Sequence, residues 1–477
     1  MKIFRTIYIA LFVMICFSLF LLMPLSHSDM SVEKREAASL PKLRTEEGKL
    51  NMDFFDQLTD YFSDNFAFRQ ELATGDAVIK SKLFRTSNNE KAIVGKNEWL
   101  YFNGSLDDYF GRNILNDREI YAAAKTISLM QEFSESRGCS FVFTVAPNKN
   151  TLYPDNMPDN YIGAQGDTNI ELLRNKLSNM TCANGNPINY VDLQATFLAQ
   201  DKVLYHKWDS HWNNEGAVLA MNTIFNSIGK EHYDYKDEPF SIEANHSGDV
   251  WQLIYPSWNR MDENVIYERQ HTYTYVNPVE SVEDMFIITA CQGKEGNVLM
   301  FRDSFGNALL PYVADEYANG MFLKGMPLNV KQIEASGTNA LIFEIVERNI
   351  PNIIAYLPVM DAPVRNLEDI SVNSLESETS VEYEDKVSQY VIYGSIDPDY
   401  METDTDIYVK ITTGSGDVTY YEASPGAYIK QEAGADLSNN YGAYISKEAI
   451  GQDFSVQIIW GENGTFYSTN AIDIVYN

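Results

Sequence analysis

Two stretches, Trp208-Asp209-Ser210-His211-Trp212-Asn213 and Phe301-Arg302-Asp303-Ser304-Phe305-Gly306, supply a carboxylate, an imidazole and a hydroxyl. A serine hydroxyl is a weak nucleophile at neutral pH. It needs an imidazole to take its proton and a carboxylate to fix that ring's tautomer. Asp209, His211 and Ser304 are therefore the candidate catalytic set. A competing arrangement uses His206, Asp209 and His211 as metal ligands, because imidazole and carboxylate suit zinc. No third histidine and no H-E-x-x-H helix supports it, and serine acyl chemistry requires neither a metal nor a cofactor.

The flanking residues say how these groups are held. Val203-Leu204-Tyr205-His206 reads as a short strand, and Asn213 as the cap of a helix with Val218, Met221, Ile224, Phe225 and Ile228 on its apolar face. Val298-Leu299-Met300-Phe301 reads as a buried strand, with a helix opening at Gly306. Both candidate loops then lie outside the carboxyl ends of strands, where open α/β folds place their sites. A helix amino-terminus there favours a developing oxyanion, with the Ser304 N–H as its donor. Asn148 and Lys149 follow the strand Phe141-Val142-Phe143-Thr144-Val145 and, with Arg302, are further candidates to line the pocket. Trp212, Trp251 and Trp258 are candidate sugar contacts, since sugar rings pack on aromatic faces.

Asp209-Ser210-His211-Trp212, followed by Asn213-Asn214-Glu215-Gly216-Ala217, resembles the Asp-x-His-Trp signature of the AlgX/AlgJ alginate O-acetyltransferase group and the related DHHW proteins. These are similar to SGNH hydrolases with a permuted order of Asp, His and Ser. Ala146-Pro147-Asn148-Lys149 with Tyr153-Pro154, Asp303-Ser304-Phe305 and Glu347-Arg348-Asn349 agree with the resemblance, which spans roughly residues 33 to 360. Ser210 stands where DHHW proteins carry His. The resemblance implies Ser304 as acyl acceptor, His211 as base and Asp209 as its orienter. It implies an O-acetyltransferase acting on a cell-surface or exported polysaccharide, with a membrane-bound O-acyltransferase supplying the acyl group. A carbohydrate esterase with the same triad and a non-catalytic glycan-binding envelope protein are the alternatives.

Lys2 and Arg5 precede Ile7 to Leu25, which carries no charge, and Asp29, Glu33 and Glu36 follow it. About 20 apolar residues cross a bilayer, so residues 1–29 are expected to form a signal anchor with the bulk of the chain outside; secretion after signal cleavage is the alternative. The 36 basic and 67 acidic residues give a formal charge of -31, which excludes nucleic acid as a natural partner. Of four cysteines, only Cys139, Cys182 and Cys291 lie beyond that segment, too few for a disulfide framework.

Residues 30–90 read as a stalk and amino-terminal helices, and 91–368 as the SGNH-like domain. There strands and helices alternate, which predicts a mostly parallel sheet flanked by helices. Residues 369–381 are a polar linker. Residues 382–477, with period-two runs such as Asp406-Ile407-Tyr408-Val409-Lys410-Ile411, predict an all-β sandwich.

Overall fold

A computed structural model describes residues 2–23, 36–367, 370–375, 377–428, 437–462 and 464–474. The strands of the α/β body are β1 (Ala92–Val94), β2 (Leu100–Phe102), β3 (Ser140–Ala146), β4 (Tyr190–Val191), β5 (Phe240–Ser247), β6 (Met261–Tyr267), β7 (Thr274–Tyr275), β8 (Phe286–Ala290), β9 (Asn297–Arg302), β10 (Asn319–Lys324) and β11 (Ala340–Val346). Seven of them form one sheet in the order β4-β3-β11-β9-β10-β8-β7. β4 through β10 pair in parallel, while β8 and β7 close one edge antiparallel.

The hydrophobic runs of the central strands have a direct cause: both faces are covered. Phe141, Phe143 and Val145 of β3, Leu299 and Phe301 of β9, and Leu341, Phe343 and Ile345 of β11 enter one core with the helices Asp117–Glu135 and Asn169–Ser178. The alternate residues Val142, Val298, Met300 and Ile342 enter a second core with Asn214–Ser227 and Gly306–Ala314. Each fully buried side chain of this size contributes roughly 1.5–3 kcal/mol. Asn116 and Glu119 form a reciprocal cap at the start of the long helix, and Gly138 takes up a positive φ of 71° just beyond its end.

Two expectations are corrected here. The segment Val203–His206 is not a strand of the sheet: only the single bridge Tyr205–Trp212 forms, closing a tight loop instead. The anchor expected over 1–29 is not supported either. A helix runs Lys2–Leu21, but among the described residues no helix is long and apolar enough to cross a membrane. Residues 24–35, where that segment would exit, lie outside the described residues.

Beyond the body, two further sheets share a core in which Tyr390 and Ile392 from one meet Val409, Ile411 and Trp460 from the other. Val372–Ser374, inside the expected linker, pairs with Thr465–Ser468 of this unit. Arg118 and Lys125 on the long helix join it to the body. Arg118 donates to the carbonyls of Thr405 and Ser438, and Lys125 pairs with Glu422 at 2.5 Å. Cys139, Cys182 and Cys291 are free and buried.

Candidate active site

Ser304 sits in the turn between β9 and the helix Gly306–Ala314, and the turn is clamped by the residue before it. The Asp303 carboxylate accepts the Phe305 N–H at 3.0 Å, the Val346 N–H at 2.7 Å and the Asn349 amide at 3.1 Å. Those bonds tie the serine turn to the end of β11. Gly306 must be glycine, because a Cβ there would meet the Arg302 Cβ at 2.5 Å.

His211 and Asp209 occupy the loop closed by the Tyr205–Trp212 bridge. Asn213 ends it by capping the next helix, accepting the Gly216 N–H at 3.0 Å. The fold brings the two loops together. His211 Nε2 lies 2.8 Å from Ser304 Oγ, and His211 Nδ1 lies 2.7 Å from Asp209 Oδ1. The ring is therefore bracketed by a hydroxyl on one nitrogen and a carboxylate on the other, which sets Nδ1 as the donor and leaves Nε2 to accept. Ser304 and His211 are half-buried and Asp209 is buried.

Electrostatics follow from this packing. Burial would raise the Asp209 carboxyl, but His211 and His246 hold it well below its ordinary value. Burial also opposes a charged His211 ring, yet Asp209, then Asp249, outweigh it and raise the imidazole above 6.5. Asp249 itself is raised, by burial and by the nearby Asp209 charge. It accepts the Ser210 N–H at 2.8 Å and the Ser210 hydroxyl at 2.6 Å. The competing set with His206 is not brought together among the described residues. Asp209, His211 and Asp249 have ligand atoms within 4.8 Å of one another, and His206 instead stacks on His246.

The remaining candidates fall elsewhere. Asn148 is fully buried; its amide donates to Asp108 at 2.9 Å and accepts from Arg348 at 3.1 Å. Lys149 is buried under the loop, donating to the carbonyls of Leu100, Lys207 and Asp209 at 2.8, 2.8 and 2.9 Å. Arg302 is buried and donates to Asn307 and to the carbonyls of Val282 and Asp284. These three hold the framework instead of lining a pocket. Trp212 is a core residue whose Nε1 donates to the Phe305 carbonyl, and Trp251 is buried with Nε1 on the Trp258 carbonyl. Trp258 alone of the three is open, at 43% exposure, beside a cleft of about 1160 Å³ that neither Ser304 nor His211 lines. Sequence reasoning did not assign roles to Asp303, Asn349, His246 and Asp249. The signal for the last two was present in His246-Ser247-Gly248-Asp249, a polar run between segments of regular pattern.

Ser304, at the end of β9, is thus joined in one hydrogen-bond chain to His211 and Asp209, which come from a loop outside the sheet of this mixed α/β body. Residues 92–286 match the family model of the SGNH hydrolase-like domain of the acetyltransferase AlgX. Similar solved structures include a DHHW family protein from Eubacterium siraeum DSM 15702, 16% identical, TM-score 0.40, with 55% of this chain and 96% of that chain covered. PatB1 of Bacillus cereus is 19% identical, TM-score 0.42, with 53% and 95% covered. The O-acetyltransferase domain of Pseudomonas putida AlgJ is 13% identical, TM-score 0.37, with 55% and 92% covered. No curated protein matches the chain. The family model carries the AlgX name that the resemblance drawn from the sequence also gave.

Proposed function

We propose that the chain is an extracytoplasmic serine acyl-enzyme that moves acetyl groups onto a cell-surface or exported polysaccharide. The observation that carries this reading is the continuous line Ser304 Oγ, His211 Nε2, His211 Nδ1, Asp209 Oδ1. His211 takes the Ser304 proton as Oγ attacks the acetyl carbonyl. The tetrahedral oxyanion is met by the Ser304 N–H at the amino-terminal end of the helix Gly306–Ala314. Collapse expels the donor's oxygen, protonated by His211, and leaves acetyl-Ser304. A sugar hydroxyl, deprotonated by the same ring, then takes the acetyl group and frees the serine. Water in place of the sugar gives esterase activity through the same intermediate.

The lysine and arginine at positions 2 and 5, ahead of an uncharged stretch, support export of the bulk of the chain. Transfer requires an activated acyl donor outside the membrane, which a membrane-bound O-acyltransferase partner would supply. The test is turnover of para-nitrophenyl acetate by the protein beside Ser304→Ala and His211→Ala, with and without chelator. Loss of at least about 1000-fold in both variants and indifference to chelator is expected. Equal rates in the three proteins would sink the reading, and loss on chelation would point to metal-assisted hydrolysis.

A further inference from the structure

Asp209 has two carboxylate oxygens, and the proposed relay uses only Oδ1. Oδ2 is not left to water. It lies 2.9 Å from His246 Nε2 and accepts the Asp249 N–H at 2.9 Å. Both donors come from outside the parallel sheet, His246 on β5 and Asp249 at the start of the short helix Asp249–Ile254 that follows it.

Several local features serve to aim that segment. The β5–β6 register shifts between Ala244 and His246, so a bulge turns the His246 side chain out of the regular alternation. Gly248 lets the chain approach closely, since a Cβ there would meet the Trp208 carbonyl oxygen at 2.4 Å. Trp251 N–H donates to that same carbonyl at 3.0 Å. The His246 ring stacks on His206, with centroids 3.7 Å apart and planes 4° from parallel. His206 is in turn fixed by its own N–H on the His211 carbonyl at 3.1 Å. A bulge, a close glycine and a stacked partner over-determine one side chain.

We propose that His246 is a positioning residue for the acyl-transfer step: its Nε2–H, with the Asp249 N–H, holds the second oxygen of Asp209 so that the first faces His211. This rests on Ser304, His211 and Asp209 acting as the catalytic set. A donor on Oδ2 does this without competing for Oδ1, leaving that oxygen free to face the His211 ring. Asp209, His206, Asp249 and, across the hairpin, Asp262 are the titratable groups that face or flank the His246 ring.

The experiment measures para-nitrophenyl acetate turnover against pH for the full chain and for His246→Ala, His246→Gln and Ser304→Ala, with melting temperatures alongside. Glutamine keeps an N–H donor near the Nε2 position. His246→Ala is expected to lower kcat about tenfold with KM nearly unchanged, and His246→Gln to restore most of it. Without its second donor Asp209 becomes more basic and grips the imidazolium more tightly. The acidic limb of kcat/KM therefore moves to higher pH in His246→Ala and stays in place in His246→Gln. Equal losses in both variants, or wild-type kcat and an unmoved limb in His246→Ala, would overturn the proposal. Ser304→Ala separates the two failures. Turnover surviving it defeats the serine reading itself, whereas turnover abolished there but untouched by His246→Ala defeats only the role of His246.

Discussion

Trp212 Nε1 donates to the Phe305 carbonyl at 3.1 Å, so the residue after the candidate base is bonded to the residue after the candidate nucleophile. The Phe305 ring packs on both partners, 4.7 Å from the His211 centroid and 5.1 Å from that of Trp212. Two loops far apart in sequence thereby share one buried joint. The 2.8 Å contact between His211 and Ser304 is a consequence of that joint as much as of their own hydrogen bond.

Trp212→Phe keeps an aromatic ring but removes the donor, leaving a buried carbonyl unpaired. A cost of about 1–3 kcal/mol in stability is expected from that orphaned acceptor. Activity should fall further than stability predicts, because a misplacement of about 1 Å at a reacting pair can cost roughly 100-fold in rate. Urea unfolding together with kcat under conditions where the variant is fully folded measures both. A stability loss with unchanged kcat would show that the joint does not set the distance between base and nucleophile.

The raised pKa of His211 makes a signed prediction. The ring must be neutral to accept the Ser304 proton, so kcat/KM for an aryl acetate should rise with pH through an apparent value above 6.5. Linkage runs the opposite way. A folded-state pKa above the unfolded one means that the protonated ring stabilises the fold, fully below about 6.5 and decreasingly as pH rises through the folded value. Activity thus grows over the window in which that stabilisation disappears. Asp209→Asn removes the main cause of the upward shift, so the limb should move to lower pH while kcat falls by on the order of 10,000-fold. An acidic limb below 6.5 in the wild type, or one that ignores Asp209→Asn, would contradict the geometry.

The sequence carried the parts of this site that lie on strands running into helices. Val298–Phe301 before Ser304 and the Asn213 cap after His211 are local patterns, and local patterns survive without knowledge of the fold. The mostly parallel core of the sheet was legible for the same reason, because burial on both faces leaves continuous apolar runs in β3, β9 and β11, whereas the antiparallel edge of β8 and β7 was not. What could not be read was direction. Asn148, Lys149 and Arg302 are polar groups near strand ends, which in sequence look the same whether they face a pocket or turn inward to bind carbonyls. His246 and Asp249 reach Asp209 from β5 and the short helix that follows it, whose aim depends on a single bulge. The Val203–His206 run has strand composition, yet it has no edge to join and closes a loop instead. Trp251 and Trp258 lie seven residues apart in similar surroundings, and only packing separates the buried one from the exposed one.

Lys149 gives the sharpest test of this distinction between lining a site and supporting it. Its ammonium donates to three carbonyls, among them that of Asp209, and lies over the rings of Trp99 and Tyr101 at 4.9 and 5.2 Å. Burial pulls its pKa down to about 7 from 10.5, against the opposing pull of Asp209, Asp249 and Asp262. Lys149→Met relieves the burial of a charge but orphans the carbonyls of Leu100 and Asp209, while that of Lys207 keeps the Leu100 N–H at 3.1 Å. At roughly 1–3 kcal/mol each, those acceptors outweigh a swap that is often neutral when no partner is left behind. Net destabilisation is therefore expected, and the loosened Asp209 carbonyl should lower kcat without a matching rise in KM. The sign with pH is also fixed. Between about 7 and 10.5 the unfolded chain binds the extra proton, so the wild type gains stability as pH rises across that window. Lys149→Met lacks the group and should not, so the stability gap between the two proteins widens from pH 7 to pH 9. Urea midpoints at the two pH values decide the matter: a constant gap, or a variant as stable as the wild type, would mean that the lysine does not carry the loop.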